Sequence, residues 1–291
     1  MRNESAIRPM ALWTRVFCVG LLLNGCKGAP VSSKPSAAVV ASAQFSSVAS
    51  SPAPRAFPPL AGASWLERMT LDDGNVIYVA PPLGATEPRP LIIAVHGAGD
   101  RAEWSCGGWR LAASEYAFVV CPQGLKMDAQ RFAWDSPRTI AERVERAIDV
   151  VRSRFGAYVA EGPPLYAGFS QGATLSGPTL LAKEARFPAV ILAEGGYNLI
   201  RDASFIARLE ANGTSRLLVV CGSAACFQTA NGVRPNFARA QVDLRIAGDA
   251  LSGHNLNQRM QDALHGAWPS FVAGLPGWAS FPDYLAAHRS P

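Results

Sequence analysis

The chain has 291 residues, 49% of them apolar and only 17% charged, which suits one large globular domain or two small ones with a sizeable core. Its formal charge of +5 is confined to the N-terminal fifth: residues 1–25 carry +2, residues 26–58 carry +3, and residues 59–291 are neutral. A neutral domain lacks the basic footprint that a phosphate backbone requires, so nucleic acid is excluded as the expected partner.

Taken in chain order, the leader comes first. Arg2, Arg8 and Arg15 precede the apolar run Val16–Leu23, and small or polar residues then lead into Cys26. The run is too short to cross a bilayer as a helix, so residues 1–25 read as a signal peptide. Leu23-Asn24-Gly25-Cys26 resembles the bacterial lipobox. That resemblance implies lipidation of Cys26, with the chain either anchored at the cell envelope or secreted, and membrane contact only through the N-terminal lipid. Between residues 29 and 58, 21 of 30 positions are Ala, Ser or Pro. Such a stretch buries too little apolar surface to offset its ordering entropy, so residues 26–58 are expected to form a disordered tether ahead of a domain at 59–291.

Within that domain, Leu66–Leu71 and Val76–Ala80 flank Asp-Asp-Gly-Asn, which predicts an opening hairpin. Apolar runs predict strands at Leu91–Val95, Ala117–Cys121, Leu165–Phe169, Ala189–Ala193, Leu217–Cys221 and Val242–Ile246. Helical spacing falls between them at Ile140–Phe155, 172–184 and Ala203–Glu210, and again at Leu256–Phe271. Strands alternating with helices imply an α/β fold, a mostly parallel twisted sheet covered on both faces. Ligands bind such sheets at the carboxyl ends of the strands.

After removal of a leader and with Cys26 lipidated, four cysteines remain: Cys106, Cys121, Cys221 and Cys226. An even set in an oxidising compartment predicts two disulfides with three possible pairings, of which the local one, 106–121 and 221–226, is preferred. No zinc-type spacing such as Cys-x-x-Cys or His-x-x-Glu-His occurs, so neither a metal nor any other cofactor is expected.

The chemistry is concentrated in three segments. Gly168-Phe169-Ser170-Gln171-Gly172 follows an apolar strand and opens a small-residue helix, the context of a G-x-S-x-G nucleophile elbow. His96-Gly97-Ala98-Gly99 follows the strand LIIAV, and Ser252-Gly253-His254-Asn255 follows the last strand. Of the four histidines, His265 lies inside a helix and His288 near the terminus, leaving His254 downstream of Ser170 as the candidate base. Over residues 65–275 these segments resemble secreted α/β-hydrolases. The resemblance is greatest to the polyhydroxybutyrate-depolymerase and feruloyl-esterase-like branch, with kinship to dienelactone hydrolases and carboxylesterases.

The resemblance implies a monomeric serine hydrolase acting on a small-molecule or polymer ester. Ser170 would be the nucleophile and His254 the base, with the backbone N–H groups of Ala98 and Gln171 forming the oxyanion hole. His96 would organise its loop without transferring protons.

The triad acid departs from the family pattern. Family members carry Asp a few residues after the strand that here reads LLVVC, where this chain has Ala225. Six acids lie between Ser170 and His254: Glu184, Glu194, Asp202, Glu210, Asp243 and Asp249. Glu194, which follows the preceding strand, is preferred over Asp249, which shares the His254 loop; a Ser–His dyad is the third possibility. A chain that kept the fold but lost its acid would be a non-catalytic binding lipoprotein, the competing class. Cys221 and Cys226 bracket the vacated acid position, and a small disulfide loop there would hold that segment in a non-catalytic shape. Trp104, Trp109, Phe132 and Trp134 follow successive strands and are candidates to line an aromatic cleft.

Overall fold

The computed structural model describes residues 57–182 and 187–288. The signal peptide, Cys26, almost all of the tether, and Glu184 lie outside these described residues. Phe57 and Pro58, read from sequence as the end of the tether, are tied down. The Phe57 N–H donates to the Thr86 carbonyl at 3.0 Å, and the Tyr158 hydroxyl donates to the Pro58 carbonyl at 2.8 Å.

The chain opens with the expected hairpin, β1 (Glu67–Thr70) and β2 (Val76–Ala80). Then follow β3 (Leu91–Val95), α1 (Ala102–Ala112), β4 (Phe118–Pro122), a small ribbon of β5 (Leu125–Lys126) and β6 (Phe132–Ala133), and α2 (Pro137–Phe155). After these come β7 (Leu165–Phe169), α3 (Gln171–Thr174), α4 (Gly177–Leu180), β8 (Ala189–Ala193), α5 (Tyr197–Arg201) and α6 (Ala203–Ala211). The C-terminal part comprises β9 (Arg216–Cys221), α7 (Ala224–Gly232), α8 (Arg234–Arg239), β10 (Asp243–Gly248), α9 (Gln258–Val272) and α10 (Phe281–His288).

Eight strands form one sheet in the order β1-β2-β4-β3-β7-β8-β9-β10. β2 runs antiparallel to both its neighbours; every pairing from β4 through to β10 is parallel.

The sheet's two faces explain the continuous apolar runs. In β3, Leu91, Ile93 and Val95 pack with α2, whereas Ile92 and Ala94 pack with α1 and α9. Because alternate side chains leave a strand on opposite faces, a strand covered on both must be apolar throughout. α2 shows the matching stripe, burying Ile140, Val144, Ala147, Ile148, Val151 and Phe155. Ser136 caps its N-terminus by accepting from the Thr139 N–H.

Two expectations are corrected and one helix is added. The single helix expected over 172–184 is broken into α3 and α4, because Pro178 has no N–H to donate to the Thr174 carbonyl. α1 was not anticipated: Ala102, Ser105, Cys106, Trp109 and Ala112 form its buried stripe, but most of these are small or polar and Gly107 and Gly108, poor helix formers, interrupt the pattern. Trp109, assigned to a loop and an aromatic cleft, is instead a fully buried residue of α1, packed 6.5 Å from the Trp268 ring.

Both disulfides take the local pairing. Cys106–Cys121 joins α1 to β4 and Cys221–Cys226 joins β9 to α7, with Cα–Cα distances of 5.8 and 5.3 Å. The double substitution Cys106→Ser/Cys121→Ser is expected to lower stability by about 3 kcal/mol, the chain-entropy value for a loop of roughly 15 residues. Denaturant unfolding checks this.

Candidate active site

Four segments converge at the carboxyl ends of the parallel strands: residues 96–100 after β3, Ser170 after β7, Glu194 after β8 and His254 after β10. Ser170 is the turn residue between β7 and α3, with φ 51° and ψ −112°, a region that side chains rarely enter. Its strain is held by neighbours. The Ser170 N–H donates to the Ala193 carbonyl at 2.9 Å, and the Ser170 carbonyl accepts from both the backbone and the hydroxyl of Thr174. Gly172 permits the sharp turn, because a Cβ there would lie 2.3 Å from the Val95 carbonyl oxygen.

The Ser170 hydroxyl lies 2.8 Å from His254 Nε2. On the other side of the imidazole, Nδ1 lies 3.4 Å from Glu194 Oε2, the looser contact of the two. Glu194 also has a left-handed backbone, φ 48°, and its side chain is only 6% exposed while that of His254 is 57% exposed. A carboxylate so buried needs partners, and its second oxygen, Oε1, accepts from the Gly222 N–H. Tyr197 packs nearby: burial, reinforced by the Glu194 charge, pushes its phenol up to about 12.

Asp249 does not approach His254 in this way. Its carboxylate accepts from the Leu251 N–H at 2.9 Å and faces Arg259 at 3.8 Å, closing its own turn. Ala225 sits in the first turn of α7, which Ser223 caps by accepting from the Cys226 N–H. Of the four remaining acids, Asp202 caps α6, Asp243 pairs with Arg245 on β10, Glu210 is exposed on α6, and Glu184 is not described.

The loop after β3 is braced by groups that spacing alone did not reveal. His96 is fully buried; its Nδ1 contacts the Gly97 carbonyl at 2.7 Å, and Nε2 accepts from the Gly124 N–H at 2.9 Å. This pattern fixes the tautomer with the proton on Nδ1. Burial also holds this imidazole below the usual histidine range, so it is neutral.

Trp134 is a strut and not a cleft wall, which corrects the sequence expectation. It is 3% exposed, its indole N–H donates to the His96 carbonyl at 2.9 Å, and its ring lies 5.0 Å from the His96 ring. The Gln171 side chain then grips the Trp134 backbone at both ends, accepting from its N–H and donating to its carbonyl, each at 2.9 Å. Phe132 contributes backbone, accepting from the Gly99 N–H at 2.8 Å and donating to the Asp100 carbonyl at 3.1 Å. The ribbon thus ties the segment after β3 to the elbow.

Ala98 lines the cleft beside Ser170, and Gln171 begins α3. Among the described residues, the backbone N–H of neither has a hydrogen-bond partner. The cleft has a volume of about 400 Å³, with Asp100, Trp104, Phe169 and Leu256 among its walls, a size suited to a small ligand. Of the aromatics singled out from sequence, Trp104 is the one that lines it, 62% exposed. Burial raises the Asp100 carboxyl above its usual range. A larger groove of about 510 Å³, between β2 and α2, has mixed-charge walls and none of these residues.

No protein-family model matches this sequence, and the comparison with curated proteins likewise finds no match. Solved structures do match. An uncharacterized protein from Bacillus cereus superposes with a TM-score of 0.53 at 16% identity, over 65% of this chain and 61% of that one. A ferulic acid esterase superposes with a TM-score of 0.51 at 13% identity, over 71% of this chain and 96% of that one. At such identities the likeness establishes the fold. Together with the strand order and the single antiparallel β2, it is the α/β-hydrolase fold.

Two outcomes are expected from the bracing groups. Gln171→Ala should cost about 1–3 kcal/mol in denaturant unfolding, because it strips both Trp134 backbone groups of their partner. For His96 the folded form holds its proton more weakly than the unfolded chain. Its stabilising contribution is therefore complete above a pH of about 6.5 and is lost as pH falls from there through the folded value. Thermal unfolding followed between a pH of about 7.5 and about 5, roughly the range of histidine titration, should show this slope in the wild type and a shallower one in His96→Gln.

Proposed function

We propose that this protein is a serine hydrolase of carboxylic esters. The observation that carries the reading is the Ser170–His254–Glu194 arrangement, with 2.8 Å from Oγ to Nε2 and 3.4 Å from Nδ1 to the carboxylate. In this reading His254 Nε2 takes the hydroxyl proton as Ser170 Oγ adds to the ester carbonyl carbon. The negative charge that develops on the carbonyl oxygen is met by the Ala98 and Gln171 N–H groups. Collapse of the tetrahedral intermediate expels the alcohol, which receives the proton from His254. Water, deprotonated in turn by His254, then releases the acid from Ser170.

Glu194 serves as the acid from the strand before the usual one. It holds the imidazole with its proton on Nδ1 and stabilises the imidazolium. Loss of this function costs roughly 10⁴-fold in serine proteases, about 5.5 kcal/mol. The competing reading, a non-catalytic binding protein, rests on Ala225; the proximity of Glu194 to His254 weighs against it. Support of a second kind comes from the similar structure of a ferulic acid esterase. The cleft suits an ester with one compact acyl or alcohol group lying against Trp104 and Leu256. Export and lipidation at Cys26 remain part of the proposal, supported by the leader and by the two disulfides.

Labelling of the full chain with a fluorophosphonate probe tests the reading. The wild type is expected to label, and Ser170→Ala and His254→Ala are expected not to. Hydrolysis of a p-nitrophenyl ester should fall roughly 10³–10⁴-fold in Glu194→Gln and stay within about twofold in Asp249→Asn, a surface-turn change. A folded wild type that does not label overturns the proposal.

A further inference from the structure

The short disulfide loop lies against both Glu194 and the loop that carries His254. Cys221 ends β9 and is fully buried; Cys226 lies in the first turn of α7 and is 2% exposed. Between them, Gly222 uses both of its backbone polar groups on the site. Its N–H donates to Glu194 Oε1, and its carbonyl accepts from the Gly253 N–H at 2.8 Å, one residue before His254. The approach leaves no room for a side chain, since a Cβ on residue 222 would lie 1.9 Å from the Gly253 carbonyl oxygen. Ser223 secures the next residue by capping α7.

We propose that the Cys221–Cys226 loop is a positioning device, in which Gly222 fixes Glu194 and the His254 loop relative to each other. The inference rests on the hydrolase reading above and extends it. A disulfide that closes so short a loop removes less chain entropy than the 106–121 bridge does, so a contribution to stability alone is its weaker use. What it does constrain is one residue whose backbone N–H and carbonyl, in successive peptide units, touch two parts of the site. The carboxylate is set by a rotatable side chain, and His254 sits on an exposed loop. Without a fixed Gly222, each could drift while remaining individually folded. The end of β9, where the resemblance led one to expect an acid, thus serves here as a backbone bracket for an acid supplied by β8.

The test compares the full chain with Cys221→Ser/Cys226→Ser, using Cys106→Ser/Cys121→Ser as a control for disulfide loss in general. A second variant, Gly222→Ala, keeps both cysteines and drives residue 222 from its place, which covers the case in which the serine pair does not fold. Two readouts are taken: the kcat–KM split on a p-nitrophenyl ester, and the strongly deshielded proton NMR signal of an imidazole Nδ1–H shared with a carboxylate.

The expected result is a roughly ten- to a hundredfold fall in kcat with KM held, and loss of the deshielded proton, in the 221/226 or Gly222 variants but not in the 106/121 control. Folded 221/226 and Gly222 variants that keep both kcat and the proton signal overturn the inference, as does an equal fall in the control. A wild type that neither labels nor turns over defeats the hydrolase reading instead; the proton signal still decides whether the bracket orders His254 against Glu194.

Discussion

The buried carboxylate of Glu194 is the constraint around which the strand ends are arranged. An isolated charge at 6% exposure would be expensive, and a neutral carboxylic acid would offer His254 little. The site answers on both oxygens: Oε1 accepts from the Gly222 N–H, and the His254 imidazole stands 3.4 Å from Oε2. Because Glu194 projects from a left-handed backbone directly after β8, its carboxylate is carried across β9 towards the β10 loop. The order of strands, Ser170 on β7, Glu194 on β8 and His254 beyond β10, then makes a three-residue chain across neighbouring strand ends.

A second network performs a comparable task for the segment after β3. Its members are neutral, and their cohesion comes from hydrogen bonds in a dry interior, where an unmade bond is costly. His96 is kept uncharged by burial and spans two backbone groups; Trp134 reaches the His96 carbonyl, and Gln171 grips Trp134. The consequence is that Gln171 acts twice. Its side chain ties the elbow to the ribbon, while its backbone N–H, like that of Ala98, has no hydrogen-bond partner among the described residues. A polar group in one network thereby fixes the geometry on which the other depends, and both rest on a sheet whose interior strands are apolar on both faces.

Much of this was legible in the sequence. The apolar runs, with the turn signal of the hairpin, located the eight strands of the main sheet to within a residue or two, since burial on both faces keeps an inner strand apolar throughout, but not the short β5–β6 ribbon. The G-x-S-x-G segment identified Ser170, because the tight turn needs glycine where Val95 approaches Gly172. The count of four histidines isolated His254, and spacing favoured the local disulfides. What escaped was anything whose role depended on a distant backbone group. Trp109 and Trp134 are both tryptophans after strands, and nothing local distinguishes core from strut from cleft wall. The break between α3 and α4 was readable from Pro178, but the small-residue helical pattern masked it.

The sequence by itself determined the fold class, the place of Ser170 at a strand-to-helix turn and the shortlist of acids, because these follow from periodicity, turn sterics and residue type. Only the tertiary structure decided between Glu194 and Asp249 as neighbour of His254. Both carboxylates follow strands and both lie within reach by chain distance alone. The difference is orientation: the Asp249 side chain is consumed by its own turn and Arg259, whereas Glu194 is aimed inward and met by Gly222. A side chain's direction relative to a partner some sixty residues away (Glu194 and His254) is set by strand order and packing, which no local pattern encodes.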